Sequence, residues 1–405
     1  MNSMRLPSTL KISLSEDHVC VLNLAIVQNH ETQFDAPLYQ RIEREGQIDL
    51  TVIYSEPRPD GLAAVDPEIG VTPQWDHLGA HRYRAIWISR PGVLAAVEMA
   101  RKIWCLRPDL VVIAGYFPRS HLFLALLLKV SGQPIGLRSD NTLQHTRFGG
   151  FRGRLRHWGI GVLQRLFDTW HPVGEQAQAY LLRLSGTSRP SFPFPYAVDR
   201  DWFASGAAAS RRERKRFLDE QSWPAEAFVV LGIVKWTPRE DPLTLIEAFR
   251  LLLTDHPSAR LILVGDGPLR DQVRAALASL GPAVLCPGYV AYSSLPGWYG
   301  RADVFVHPAV DEPWGVSVNE ALASSLPVVA SSGVGAAAEL IRPGGCGLEF
   351  PSGDAVALAQ ALERLLLDPA LRQRYSRAAA QTAEAHDAGC SIDQFQAALA
   401  CVQHA

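Results

Sequence analysis

Val304-Phe305-Val306-His307 is followed by Glu312-Pro313-Trp314-Gly315-Val316-Ser317-Val318-Asn319-Glu320-Ala321-Leu322-Ala323, and that by Pro327-Val328-Val329-Ala330-Ser331. The outer runs are short and apolar, as buried strands are, and the middle run spaces its apolar residues as a helix does. Strand, loop, helix and strand in that order imply a parallel pair covered by its crossover helix. The helix is expected over residues 315–324, with Pro313 in its first turn, where a missing N–H costs nothing. Its first amides have no partner inside the helix, so together with the helix dipole they attract an anion such as a phosphate.

Glu312 and Glu320 stand eight positions apart in this segment. At about 1.5 Å rise per residue that is roughly 12 Å, one carboxylate at the helix mouth and the other two turns deeper. Such a pair can grip both ends of an elongated polyhydroxylated ligand with phosphate between them, which describes a nucleotide-sugar. Two glutamates at this spacing are also common on solvated helices, so the surroundings have to discriminate.

Outward from this unit the pattern repeats. Residues 228–233, 261–264, 284–286 and 347–350 read as strands, and 242–254, 269–280, 355–367 and 369–385 as helices. In the first half, 19–27, 50–54, 110–114 and 134–137 read as strands, and 36–45, 92–106 and 121–131 as helices. Alternation at this interval gives an α/β architecture of two doubly wound domains, with ligands beyond the carboxyl ends of the strands. Residues 185–203 hold Gly186, Pro190, Pro193 and Pro195, which suits an inter-domain connection. The expected division is 1–203, 204–380, and a helical segment 381–405 packing back toward the first domain. The charged block Arg211 to Arg216 is expected as a solvated helix.

Composition sets the class. Of 405 residues 47% are hydrophobic and 20% charged, an ordinary globular balance, and a formal net charge of -2 argues against a general nucleic-acid binder. The six cysteines, Cys20, Cys105, Cys286, Cys346, Cys390 and Cys401, form no C-x-x-C pair and are expected as buried thiols in a reducing compartment. The polar segment from Met1 to Asp17 lacks a signal-peptide core, and Leu122 to Val130 is too short to span a bilayer, so a cytoplasmic protein is expected.

Several strand ends converge in type. Lys235 follows one strand, where a cation can hold a diphosphate. Gly265 and Gly267 follow another, where glycine permits either a tight turn or close ligand approach. His307 ends a third, and Gly335 follows a fourth, with Glu339 beyond it. Gly, Lys, His and Glu at four strand ends point to one cleft mouth.

With these residues in view, the span from Phe228 to Ala380 resembles the donor domain of retaining, GT-B fold glycosyltransferases of family 4. The matching runs are Lys235 through Ala248, Leu263 through Pro268, Ala302 through Pro308, Glu312 through Ala323, Pro327 through Ala330 and Gly347 through Asp354. The first half is less specific, and is similar to the acceptor domain of some bacterial members through Gln33-Phe34-Asp35-Ala36-Pro37-Leu38-Tyr39 and Arg138-Ser139-Asp140. The resemblance implies two Rossmann-like domains facing across a cleft. Glu312 would contact the donor sugar and Glu320 the ribose. Amides at Gly315 and Val316 would hold the diphosphate, Lys235 would neutralise it, and Gly265, Gly267, His307 and Gly335 would line the donor side. It implies a nucleotide-diphosphate sugar as donor substrate, a glycan or lipid-linked acceptor, and no metal or other cofactor. The lack of a D-x-D motif beside a strand end in the second half agrees with that.

Two departures stand out. The family's second basic residue, five positions after the first, is here Glu240, with Arg239 beside it. A carboxylate near a diphosphate is repulsive, and Arg239, with its bidentate fork, is expected to take over the role. Where many members have a glycine-rich loop after the first strand, this chain has Asn29-His30-Glu31-Thr32-Gln33. Asp140 either orients a substrate or caps a helix. Arg147, Arg152, Arg154, Arg156, His157 and Arg165, interleaved with Phe148, Phe151, Leu155 and Trp158, either form a solvated amphipathic helix or lean on anionic lipid at the inner membrane face or on a lipid-diphosphate acceptor. The expected activity is glycosyl transfer. A binding subunit partnering an active transferase is the alternative favoured by Glu240 and the absent glycine loop. A sugar-nucleotide epimerase would need further acid and base residues in the cleft.

Overall fold

Short parallel strands, the central ones apolar on both faces, assemble into two six-stranded sheets in the computed structural model, which describes residues 22–57, 83–144 and 149–403. The first sheet holds β1 (Leu22–Gln28), β2 (Ile48–Tyr54), β3 (Arg84–Trp87), β4 (Leu110–Ala114), β5 (Ile135–Ser139) and β6 (Thr169–Pro172). The second holds β7 (Val229–Ile233), β8 (Arg260–Val264), β9 (Val284–Gly288), β10 (Val304–His307), β11 (Val328–Ser331) and β12 (Gly347–Phe350). Their orders are β3-β2-β1-β4-β5-β6 and β12-β11-β10-β7-β8-β9, all parallel. Read from β9, the second order repeats the first, the doubly wound order in which direction reverses at the β1/β4 and β7/β10 junctions. Ligands of such sheets sit at those junctions.

Each sheet has an apolar cluster on both faces. Leu24, Ile26, Val52 and Val112 lie on one side of the first sheet and Ala25, Val27, Ile113 and Leu137 on the other. Leu231, Ile262 and Phe305 oppose Val230, Leu261 and Val306 in the second. Helices at Ala36–Glu45, Gly92–Leu106, Ala355–Leu367 and Pro369–Ala385 have the expected bounds. Among the described residues no helix is long and apolar enough to cross a membrane.

The edge strands β3 and β6 were not expected. Thr169-Trp170-His171-Pro172 mixes a His and a Pro into four residues, and the Pro is tolerated because the strand lies at the sheet edge. The Pro-rich connection after it is strapped down. Phe192 N–H donates to Trp170 O at 2.8 Å, Phe194 N–H to Pro172 O at 2.9 Å and Ala197 N–H to Phe34 O at 2.9 Å. Asp199 then caps the helix Arg200–Arg212 by accepting from Trp202 N–H. The helix Ala388–Gln403 lies on the first sheet, where Ile392, Phe395 and Leu399 are buried with Leu24, Tyr39 and Phe194. Burying three such side chains stabilises that return by about 1.5–3 kcal/mol each.

Two expectations are corrected. Arg211 to Arg216 is not one solvated helix. It spans the end of one helix and the start of another at Arg214–Glu220. Arg214 grips Asp303 with two nitrogens, at 2.9 and 2.6 Å, and Asp303 also accepts from Val229 N–H, tying the block to the roots of β7 and β10. The described cysteines are not uniformly buried. Cys346 is buried, whereas Cys105, Cys286 and Cys390 are exposed and Cys401 is intermediate. Cys20, Arg147 and Phe148 lie outside the described residues.

Candidate functional site

A cleft of about 460 Å³ opens at the β7/β10 junction, and the loop after β1 closes its far wall. It is lined from the second domain by Lys235, Arg239, Glu240, Gly265, His307, Glu312, Gly315, Val316 and Glu320, and from the first by His30, Thr32, Gln33 and Phe34. The segment 29–33 therefore furnishes a wall of side chains where glycines would leave open backbone.

The loop after β7 is built to present cations. Asp241 adopts φ 44° and caps the helix Pro242–Asp255 by accepting from Thr244 N–H, which fixes where the helix starts. Glu240 folds back, its Oε2 accepting from the backbone N–H of Lys235 at 2.6 Å. Its Oε1 accepts from Arg239 Nη2 at 3.0 Å, while Arg239 Nη1 pairs with Glu312. One guanidinium thus spans two carboxylates. Burial, and then Glu312, push the Glu240 carboxyl up to about 7, against the lowering effects of Lys235 N–H and the two cations.

Glu312 is set by backbone. Its N–H donates to Gly333 O at 2.9 Å and its carbonyl accepts from Gly335 N–H at 3.0 Å, so the loop after β10 is pinned to the turn after β11. Gly335 and Gly267 stand behind the wall. A Cβ on Gly335 would lie 2.0 Å from Pro313 O, and one on Gly267 2.6 Å from Trp236 O. Gly265 does line the cleft, and its Cβ would meet Val234 O at 1.9 Å. All three glycines are thus required by close backbone packing, and of the three only Gly265 lines the cavity.

The helix after this loop begins one residue later than expected, at Val316, and runs to Ala323. Pro313 is not in its first turn but in the preceding loop, and Glu312 is not on the helix, so the helical-rise estimate of the glutamate separation does not apply. Gly315 is the N-cap at φ 95°, a left-handed conformation, with His307 and Val334 each 2.9 Å from where its Cβ would be. No side chain caps the first turn, so the amide cradle faces the cleft. His307 is buried beside it. Burial, with Arg239 adding to it against Glu312, lowers its pKa to about 4, and Nδ1 has no hydrogen-bond partner among the described residues. Glu320, deeper on the helix, is 3% exposed and accepts from Tyr299 O–H at 2.8 Å. Its burial raises the carboxyl to about 7.

Asp140 is not among the residues lining the cleft, and it caps no helix among the described residues. It accepts from Tyr196 O–H at 2.8 Å, and the Tyr196 ring lies edge-on to Trp314 at 6.4 Å and Phe34 at 4.5 Å. Asp35 and Arg138, quoted from two separate runs, form a buried pair at 2.7 Å, with Arg138 over the Phe194 ring at 3.7 Å. Sequence reasoning missed Tyr299 and Tyr196. Neither lies in a motif, and only their placement beside Glu320 and Asp140 gives them meaning.

Residues 213–382 match the family model described as glycosyl transferases group 1. The chain is 25% identical over 313 residues to the phosphatidyl-myo-inositol mannosyltransferase of Mycobacterium leprae, covering 75% of this chain and 78% of that one. It is 30% identical over 220 residues to the GDP-mannose-dependent alpha-(1-6)-phosphatidylinositol monomannoside mannosyltransferase of Mycobacterium tuberculosis, covering 51% of this chain and 55% of that protein. The Anabaena HepE structure in complex with UDP superposes with a TM-score of 0.73 at 16% identity, over 94% of this chain and all of that one, and shares its fold.

Proposed function

We propose that this chain, whose residues 213–382 match the family model described as glycosyl transferases group 1, is a glycosyltransferase that moves a sugar with retention from a nucleotide-diphosphate sugar to a glycan or lipid-linked saccharide. The observation that carries this reading is the convergence of Lys235, Arg239 and the uncapped helix N-terminus at Gly315 and Val316 on one cleft, with Glu312 and Glu320 on either side of the anion site. The donor C–O bond breaks heterolytically, and the diphosphate leaves carrying the electron pair. Lys235, Arg239 and the helix amides are placed to stabilise that growing charge, the kind of preorganised electrostatics that contributes most to such steps. The acceptor hydroxyl attacks on the face the diphosphate vacates, and its proton passes to a departing phosphate oxygen. Glu312 then orients the sugar rather than forming a bond to it, and Glu320 receives the ribose hydroxyls. In this reading the protein's own cations and amides neutralise the diphosphate in place of a metal ion.

The relatives support a nucleotide-sugar donor without narrowing the base, since one is described as GDP-mannose-dependent and one structure holds UDP. A lipid-linked acceptor is supported by the helix Gly150–Gln164. Its apolar stripe, Phe151, Leu155, Trp158 and Val162, faces outward, at 82%, 58%, 67% and 41% exposure. Its inward face carries Gly161, packed so closely that a Cβ would touch Leu184 O. No acidic residue occurs from Asn141 to Phe167, and arginines flank the stripe, so an anionic bilayer is the surface it complements. Activity is tested by nucleotide release from UDP-, GDP- and ADP-sugars, with and without EDTA. Release from one donor class, unchanged by EDTA, is expected. No release from any donor by folded protein contradicts the reading.

A further inference from the structure

Glu240 is the oddity of the cleft. It is 8% exposed, lines the cavity, and stands where a second positive charge would serve a diphosphate. The groups around it have nearly opposed charges. On its own loop are Lys235 and Arg239. From the loop after β10 comes Glu312, with neutral His307 beneath it. On the adjoining loop after β8, whose Asp266 O accepts from Trp236 N–H, is the Asp266 carboxylate, engaged by Arg270; across the cleft is His30, paired with Glu56, and deeper lies Glu320. Two carboxylates already share the single guanidinium of Arg239.

Resting on the donor reading above, we propose that Glu240 takes up a proton when a diphosphate ester binds and, as the neutral acid, donates a hydrogen bond to a phosphate oxygen. The geometry requires something of this kind. A diphosphate competes for Arg239, and Glu240 Oε1 then loses its 3.0 Å donor, while Oε2 keeps the Lys235 N–H. The freed oxygen and a phosphate oxygen are both acceptors, and they repel unless one carries a proton. The proton comes from solvent and no bond of the ligand changes. Burial and the neighbouring Glu312 already hold the carboxyl at about 7, so little is needed to protonate it near neutrality. A residue that reads as a defect thereby becomes the donor that a second cation would have been.

The test is calorimetric binding of UDP-glucose, GDP-mannose and ADP-glucose at about pH 8, in HEPES, tricine and Tris, whose ionisation enthalpies differ. The buffer dependence of the heat reports protons bound per ligand, and diphosphate diesters do not titrate there. Wild type is expected to take up more than about half a proton, with affinity falling by up to about tenfold per pH unit above 7. Glu240→Gln is expected to take up almost none and to show a nearly flat affinity. Glu320 shifts oppositely, since ribose hydroxyls favour its ionised form, so the difference between the two proteins isolates Glu240. Binding without proton uptake in wild type, or equal uptake in Glu240→Gln, overturns the proposal. Binding of none of the three overturns the donor reading beneath it.

Discussion

Glu339 of the second domain caps a helix of the first. Its carboxylate accepts from the backbone N–H of Glu175 at 2.8 Å and of Gln176 at 3.1 Å, at the start of the helix Glu175–Ser185. That helix has no cap of its own, because Gly174 precedes it and a Cβ there would lie 2.1 Å from Glu339 Oε2. Glu339 and Gly174, far apart in sequence, thus meet in a hydrogen-bonded latch between the two domains.

Removing the latch is expected to loosen the domains. Glu339→Ala and Gly174→Ala should each cost about 0.5–2 kcal/mol, the usual range for a lost N-cap, and should raise the radius of gyration in solution scattering. Unchanged urea midpoints and scattering for both variants would remove the latch.

Glu320 is expected to link stability to pH. Its carboxyl is raised from 4.5 to about 7 by burial, so the folded state prefers the protonated form. Its stabilising contribution is complete below about pH 4.5 and is lost as pH rises to about 7. Glu320→Gln, whose amide oxygen still accepts from Tyr299, should therefore be more stable than wild type at pH 8 and nearly equal at pH 4.5, by urea unfolding. It should also raise donor KM with little change in kcat, since ribose contacts exist in ground and transition states alike. A pH-independent difference, or an unchanged KM, contradicts these assignments.

Much of this was legible in the chain. The alternation of apolar runs and helical patterns gave the two doubly wound domains, and long central strands such as Leu110–Ala114 are buried on both faces and so read clearly. The edge strands β3 and β6 carry weaker signals: β3 is only partly buried, and β6, though buried, holds a His and a Pro among four residues. In the site, Lys235, Arg239, His307, Glu312 and Glu320 do meet, because they follow strand ends at one junction. The partners that tune them were hidden, since Tyr299, Tyr196 and the folded-back side chain of Glu240 depend on tertiary contacts that no local pattern encodes. The placement of Pro313 failed for a similar reason. The loop after β10 is held by pairing of Glu312 with the turn after β11, which delays the helix to Val316.

Gly315 should not tolerate a side chain. Its left-handed φ and the proximity of His307 and Val334 mean that Gly315→Ala strains the backbone and displaces the amide cradle. A loss of about 1–3 kcal/mol in stability is expected, with weaker nucleotide binding by calorimetry. Wild-type affinity in this variant would show that the helix N-terminus does not hold the anion.

The outward stripe of the helix Gly150–Gln164 should bind vesicles. Sedimentation with liposomes of 30% phosphatidylglycerol in phosphatidylcholine is expected to pull down wild type and to fail for Phe151→Ser/Trp158→Ser, with binding weakened by salt. Equal sedimentation of both proteins, or none by wild type, contradicts the membrane surface.

Calorimetric titration of UDP, GDP and ADP into wild type and Lys235→Ala asks most directly whether the cleft is a diphosphate site. Selective binding of one nucleotide by wild type, weakened at least tenfold in the variant, is the predicted result. No binding of any of the three at millimolar concentration by folded wild-type protein, or equal affinity in Lys235→Ala, would contradict it.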